Sequence, residues 1–297
     1  MGDDPGLSVG PSRVEDMTEQ APPLTYRRSL SPSRAGDFQN CPLLYRFRTI
    51  DRLPEPASPA MVRGTLVHAV LEDLFGEPAP GRTLERAVDL LPSEWEQLRQ
   101  ADPRVTELFT AEQAAEETAW LASSIDLLTT YFTMEDPRYL EPAAREERVT
   151  YEPEPGLAFG GIVDRIDIAP DGRIRVVDYK SGRAPSPVFE SKAIFQMRFY
   201  ALVIWRTRGV IPTLLQLMYF GDGQFLRYEP TESDLVHTEK KLLALWAAIE
   251  RAIELRDFPP RPSGLCGWCA HQALCPAFGG TPPELPVLQI APPRDTL

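Results

Sequence analysis

Two β-rich runs, Gly160-Gly161-Ile162-Val163-Asp164-Arg165-Ile166-Asp167 and Val176-Val177-Asp178-Tyr179-Lys180-Ser181-Gly182, flank the turn-forming residues Pro170-Asp171-Gly172. Residues two apart on a strand share a face, so Asp178 and Lys180 point the same way. A three-residue loop at 170–172 pairs Ala169 with Arg173 and sets Asp164 opposite Asp178. Two carboxylates that close repel each other and call for a divalent cation. A carboxylate-bound Mg²⁺ or Mn²⁺ polarises a phosphoryl oxygen and acidifies a bound water. The Lys180 ammonium beside it would orient that water or offset charge growing on a phosphate. The same residue types also suit a surface hairpin with a plain Lys–Asp ion pair, and a slip of one residue would part the two acids.

Other residues bear on that choice. His68 lies on a helix that follows Ala60, with Gly64 and Glu72 four residues to either side, so the three form one ridge. Gln196 and Tyr200 are four apart on the helix after the hairpin. Each taken alone is ordinary, and lone helical histidines are more often core or surface residues than ligands.

The chain has four cysteines and no basic, apolar leader at Met1-Gly2-Asp3-Asp4-Pro5, which points to metal or redox chemistry rather than a disulfide framework. Cys41 stands alone before Pro42, while Cys266, Cys269 and Cys275 sit together and Pro276 follows the last. A CxxC pair can serve zinc. Three close ligands, a proline after the last and a distant fourth favour an iron–sulfur cluster. Such a centre would staple the helix around Cys41 to the C-terminal segment.

Acidic residues outnumber basic ones by 43 to 31 in the 297-residue chain, a net charge of −12, so diffuse electrostatics would repel a polyanion. Positive charge is concentrated instead between Arg27 and Arg63, where seven arginines face Asp37, Asp51 and Glu55. Within that stretch Arg46 and Arg48 alternate with Tyr45 and Phe47, a pattern suited to holding phosphates and stacking bases. A half-exposed strand with solvated arginines would read the same way. No run nears the roughly 18 apolar residues of a membrane span, and a cytoplasmic location is expected.

The elements that must position these groups are readable in outline. Ser31-Pro32 opens a short helix that Pro42 stops, and Val67, Val70, Leu71 and Leu74 mark the buried stripe of the next. Helical segments fill 83–134, then Glu147–Tyr151, Leu157–Ile168 and Arg173–Ser181 read as strands. Val188–Arg206 reads as a helix, Pro212–Phe220 as a strand and Glu232–Arg256 as a long helix. The order predicts an α/β (mixed α+β) fold, a mixed sheet flanked by helices with a helical insertion at about 80–145. Proline-bearing polar ends at 1–28 and 281–297 read as flexible tails around one domain at 29–280.

Asp164 followed by Asp178-Tyr179-Lys180 resembles the split signature of the PD-(D/E)XK nucleases. Arg63-Gly64-x-x-x-His68 and Gln196-x-x-x-Tyr200 are similar to accessory motifs of its RecB-like branch, which includes AddB and the CRISPR-associated adaptation nucleases. The likeness spans about Leu30 to Phe278; no proline precedes Asp164, and nothing in it accounts for the stretch between about 80 and 145. The resemblance implies a restriction-endonuclease-like sheet with His68, Asp164, Asp178 and the Tyr179 carbonyl as ligands of Mg²⁺ or Mn²⁺. It implies Lys180 as the catalytic lysine, with Arg63, Gln196 and Tyr200 supporting the site or touching DNA. Some members of the branch hold a [4Fe–4S] cluster on one cysteine before the core and three after it, matching Cys41, Cys266, Cys269 and Cys275. The implied function is a metal-dependent DNA exonuclease of repair or recombination, acting on single- or double-stranded ends. No Walker loop is present, so a helicase or repair partner would be a separate chain. A catalytically silent DNA-binding scaffold with the same fold and cluster is the competing expectation.

Overall fold

A computed structural model describes residues 24–186 and 190–290. The chain opens with β1 (Leu24–Tyr26) and β2 (Ser29–Leu30), then α1 (Pro32–Asn40), α2 (Pro42–Tyr45, extended by a wider turn over 46–50) and α3 (Pro59–Leu74). Two of these helices start by one device: Ser31 and Ser58 each precede a proline, and each accepts a main-chain N–H three residues on, from Arg34 at 3.3 Å and from Met61 at 3.2 Å. The insertion follows as α4 (Leu84–Ala101), the one-turn α5 (Pro103–Thr106) and α6 (Ala114–Met134).

The sheet strands are β3 (Ala144–Glu154), β4 (Leu157–Ile168), β5 (Ile174–Lys180), β6 (Leu214–Tyr219) and β7 (Gln224–Tyr228); α7 (Glu190–Arg208) leads into β6 and α8 (Glu232–Glu254) follows β7. Their order is β2-β4-β5-β6-β7, with β3 on the other edge of β4. β5 and β6 are parallel and the remaining pairings among β3 to β7 are antiparallel. This is the mixed α+β sheet between helices that the sequence predicts. β7, which the sequence reading passed over, is the outer edge strand.

Strand periodicity assigns the two faces. Val176 and Leu215 lie in a core shared with α7 and α8, while Val177, Tyr179 and Met218 lie in a second core with α3, α4 and α6. The insertion is therefore the cover of one sheet face. Trp95 and Trp120 pack there with ring centroids 4.8 Å apart.

The remaining described strand, β8 (Leu288–Ile290), runs parallel to β1 in a separate two-stranded ribbon. Both lie in segments expected as flexible tails, so the ordered chain reaches beyond the expected limits of 29 and 280 at each end. Residues 1–23 and 291–297 lie outside the described residues, as does the start of the helix expected from Val188.

Candidate active site

The hairpin register is the predicted one. Ala169 donates to the Arg173 carbonyl at 2.9 Å, and the ladder runs from Ile168 opposite Ile174 to Arg165 opposite Val177. One step further would pair Asp164 with Asp178, and there the strands part. The Asp164 carboxylate takes over, accepting the Tyr179 main-chain N–H at 2.6 Å. On this same edge of β4, β2 pairs only with Ala158 and Phe159, so no strand covers residues 160–164 there, while β3 runs along the opposite edge. The catalytic candidates sit in this split.

Asp178 is almost fully buried and accepts a hydrogen bond from the Gln196 amide at 2.8 Å. Lys180, on the same face, lies 2.5 Å from Asp178 Oδ2 and donates to Gln196 Oε1 at 3.1 Å. Gln196 also reaches the Tyr200 hydroxyl at 3.4 Å, which places both α7 residues in the site. Tyr200 comes so near because residue 161 is glycine: a Cβ there would stand 2.9 Å from the Tyr200 ring. From α3, His68 puts Nδ1 3.6 Å from Asp164 Oδ2 and Nε2 3.1 Å from the Tyr179 carbonyl. Gly64, one turn earlier, lets α3 lie against Ser181, whose hydroxyl would be 3.1 Å from a Cβ at that position.

The structure adds a residue that the sequence reading missed. Arg145 pairs with Arg165 and Glu147 with Val163, so Glu146 lies across from Asp164 on β3. Its φ of 43° is a left-handed conformation that a strand glutamate rarely adopts. Its carboxylate is 3.9 Å from His68 Nδ1. Glu146, Asp164 and Asp178 thus form one rung across three strands. Burial first, and the Asp164 charge second, push Glu146 up to about 7. Burial and then the Asp178 charge likewise push Asp164 well above the usual carboxylate range, while burial holds His68 below its ordinary value.

Other expected site residues lie elsewhere. Arg63 points into the insertion and donates to Ser123 Oγ at 3.0 Å. Arg46 is buried, paired with Asp51 at 3.0 Å and bonded to the Pro283 carbonyl. Arg48 is held between Asp37 and Glu55, each at 2.7 Å. Both charges are thus paired with carboxylates, and the segment is helical rather than the half-exposed strand that was the other expectation.

Beneath the site, Arg165 is completely buried. It pairs with Glu135 at the end of α6 and with Asp167, donates to the Tyr179 hydroxyl at 2.8 Å, and stacks on Phe75 and Tyr179. It locks the insertion to the strand that carries Asp178 and Lys180.

Residues 29–276 match the family profile described as PD-(D/E)XK nuclease superfamily, and the chain belongs to that superfamily. Over 126 residues it is 28% identical to the Gene 69 protein of Mycobacterium phage L5, a match that covers 41% of each chain, so it spans less than half the length of that relative. Among solved structures, a protein from Eubacterium rectale described as an exonuclease is similar over 82% of this chain and 87% of its own, at 14% identity and a TM-score of 0.49. A second, SSO0001, aligns over 86% and 89% at 13% identity and a TM-score of 0.40.

Nucleases of this superfamily typically use Mg²⁺ or Mn²⁺. The donors here fit such an ion. One ligand atom each from His68, Glu146 and Asp164 lie within 4.8 Å of one another. Asp178 Oδ2, buried and off hydrogen-bond geometry to its lysine, has no hydrogen-bond partner. The four cysteines are all free and half-buried. The Arg261 and Ser263 main-chain N–H groups donate to Cys41 Sγ at 3.4 Å and Cys266 Sγ at 3.2 Å. Amides aimed at sulfur suit thiolate ligands of a metal centre, and Arg261 brings the C-terminal segment against the Cys41 helix.

Among the described residues no helix is long and apolar enough to cross a membrane.

Proposed function

We propose that the protein is a divalent-metal-dependent deoxyribonuclease that hydrolyses phosphodiester bonds at the split between β4 and β5, acting as an exonuclease in DNA repair or recombination. The observation that carries this reading is the meeting of Lys180 with Asp178, Asp164, Glu146 and His68, three of which (His68, Glu146 and Lys180) line one open cavity of about 550 Å³. His68, Asp164 and Asp178 would hold Mg²⁺ or Mn²⁺, with the Tyr179 carbonyl and Glu146 beside them. The ion supplies a polarised phosphoryl oxygen and an acidified water.

The chain's own groups do the positioning. Gln196 fixes both partners of the central pair, its amide donating to Asp178 and its oxygen accepting from Lys180. One of the three ammonium N–H groups is thereby engaged, and the others remain to meet a phosphate oxygen or an attacking water as charge builds. His68 is kept neutral by burial and so remains a competent ligand rather than a cation. Cys41, Cys266, Cys269 and Cys275 would bind a [4Fe–4S] cluster that holds the C-terminal segment in place.

End-labelled single- and double-stranded DNA, incubated with and without Mg²⁺ or Mn²⁺, tests the activity. The reading expects shortening from an end only when metal is added. Binding without cleavage across metals and substrates would leave the scaffold alternative instead. A brown protein with visible absorbance after anaerobic purification is expected from the cluster; a colourless one would count against it.

A further inference from the structure

A second, larger cavity adjoins the site on its other side. It is a groove of about 1230 Å³ between β2–α1, the outer faces of β3 and β4, and the start of α7. Six cations line it: Arg27, Arg28, Arg34, Arg148, Lys192 and Lys241. Only Arg28 makes an ion pair among the described residues, with Glu250 at 2.6 Å. Lys192 touches only a neutral amide, Asn40 Oδ1 at 3.4 Å, and Arg34 a serine hydroxyl at 2.5 Å. This contrasts with Arg46, Arg48 and Arg165, whose charges are matched by carboxylates. In a chain of net charge −12, unmatched cations on one groove are free to meet phosphates.

The groove leads to the chemistry. Gln196 lines it and bonds Lys180, which lines the cavity on the α3 side. That α3-side cavity is acidic, with Glu72 and Glu146 against Lys180. The groove's floor is the uncovered edge of β4, where Gly160 and Gly161 bring bare backbone to the surface beside exposed Ile162 and half-exposed Phe195. Apolar side chains between cations suit unpaired bases, whose faces are available for contact, whereas a duplex would offer the groove chiefly its phosphates.

Resting on the nuclease reading above, we propose that this groove holds the retained single strand of the DNA being cut, with its phosphates on Arg148, Lys192 and Lys241, while the acidic α3 side holds none of it. The test is a triple variant, Arg148→Ser, Lys192→Ser and Lys241→Ser; all three side chains are exposed and none is in an ion pair among the described residues. Binding of a fluorescent single-stranded 20-mer is followed by anisotropy in EDTA, so that no catalysis is needed. The variant is expected to bind about tenfold or more weakly, with a log–log salt slope shallower by about two, from roughly 0.7 per lost phosphate contact. Unchanged affinity and slope would overturn the proposal, as would an equal loss for a blunt duplex, which would make the duplex the occupant. Hydrolysis of a small p-nitrophenyl phosphodiester with Mn²⁺ separates the two readings: it is expected to be the same in wild type and variant. If the wild type hydrolyses neither DNA nor the small diester, the nuclease reading fails, while the anisotropy still decides the groove.

Discussion

The carboxylate rung and the cysteine segment are both candidate metal centres, yet they are built in opposite ways. Every group of the rung is carried by a strand or a long helix, and a buried arginine ties those elements together from below. The cysteine segment is a chain of single turns over residues 264–278, with Trp268 90% exposed and Leu265 and Phe278 more than half exposed. Packing can set the first site before any ion arrives. The second has little core of its own, and on the proposed reading it would draw its order from a centre on its sulfurs. On the same reading the first is a place for chemistry and the second a fastening.

That contrast breaks if the wrong substitutions matter. The largest effect is expected from Lys180→Ala, which should lower cleavage of end-labelled DNA by about 10³-fold, since it removes a charge aimed at the reacting phosphate. Its unfolding midpoint, read by circular dichroism, should stay near that of the wild type. Arg165→Met comes next. It leaves Glu135 without its cation in the interior, while Asp167 keeps Arg175, and should cost about 3 kcal/mol of stability, read by urea unfolding. Cys269→Ala should cost about 2 kcal/mol and abolish visible absorbance; limited proteolysis should then cut after Phe258 while the metal-dependent cleavage per folded molecule persists. An unchanged iron content and midpoint would mean that the fastening is not there. Trp268→Ser, at an exposed position of the same segment, should move stability by no more than about 0.5 kcal/mol.

How far these parts could be read in the sequence differs for a physical reason. The hairpin register was legible because a period of two and a Pro-Asp-Gly turn leave few pairings, and Asp164 and Asp178 followed from it. Helical spacing put Gln196 and Tyr200 on one face, but only the family resemblance marked them as site residues. Glu146 was missed, because it stands in Arg145-Glu146-Glu147-Arg148, where alternation is absent and only the backbone tells which acid faces inward. The carboxylate partners of Arg46 and Arg48 were not legible, because Asp51 and Glu55 lie beyond the arginines' own helical segment and Asp37 sits on α1, eleven residues from Arg48. The groove cations were hidden too: Arg148, Lys192 and Lys241 lie far apart in sequence and converge only when β3, α7 and α8 are assembled. β7 could have been found from the Gly221-Asp222-Gly223 turn before it.

The rung also carries a cost that marks its purpose. Burial and mutual repulsion hold Glu146 and Asp164 above their ordinary pKa values, so the ionised acids weaken the metal-free fold. Asp164→Asn keeps an oxygen for the Tyr179 N–H and removes one of these charges, so the metal-free variant should be as stable as the wild type or more so.

The same variant gives the sharpest test. Electron paramagnetic resonance of free Mn²⁺, titrated against wild type and Asp164→Asn, counts the ions that the rung binds. The account predicts saturable Mn²⁺ uptake by the wild type that weakens at least about tenfold in the variant. Equal uptake by both proteins, or none by either, would contradict it.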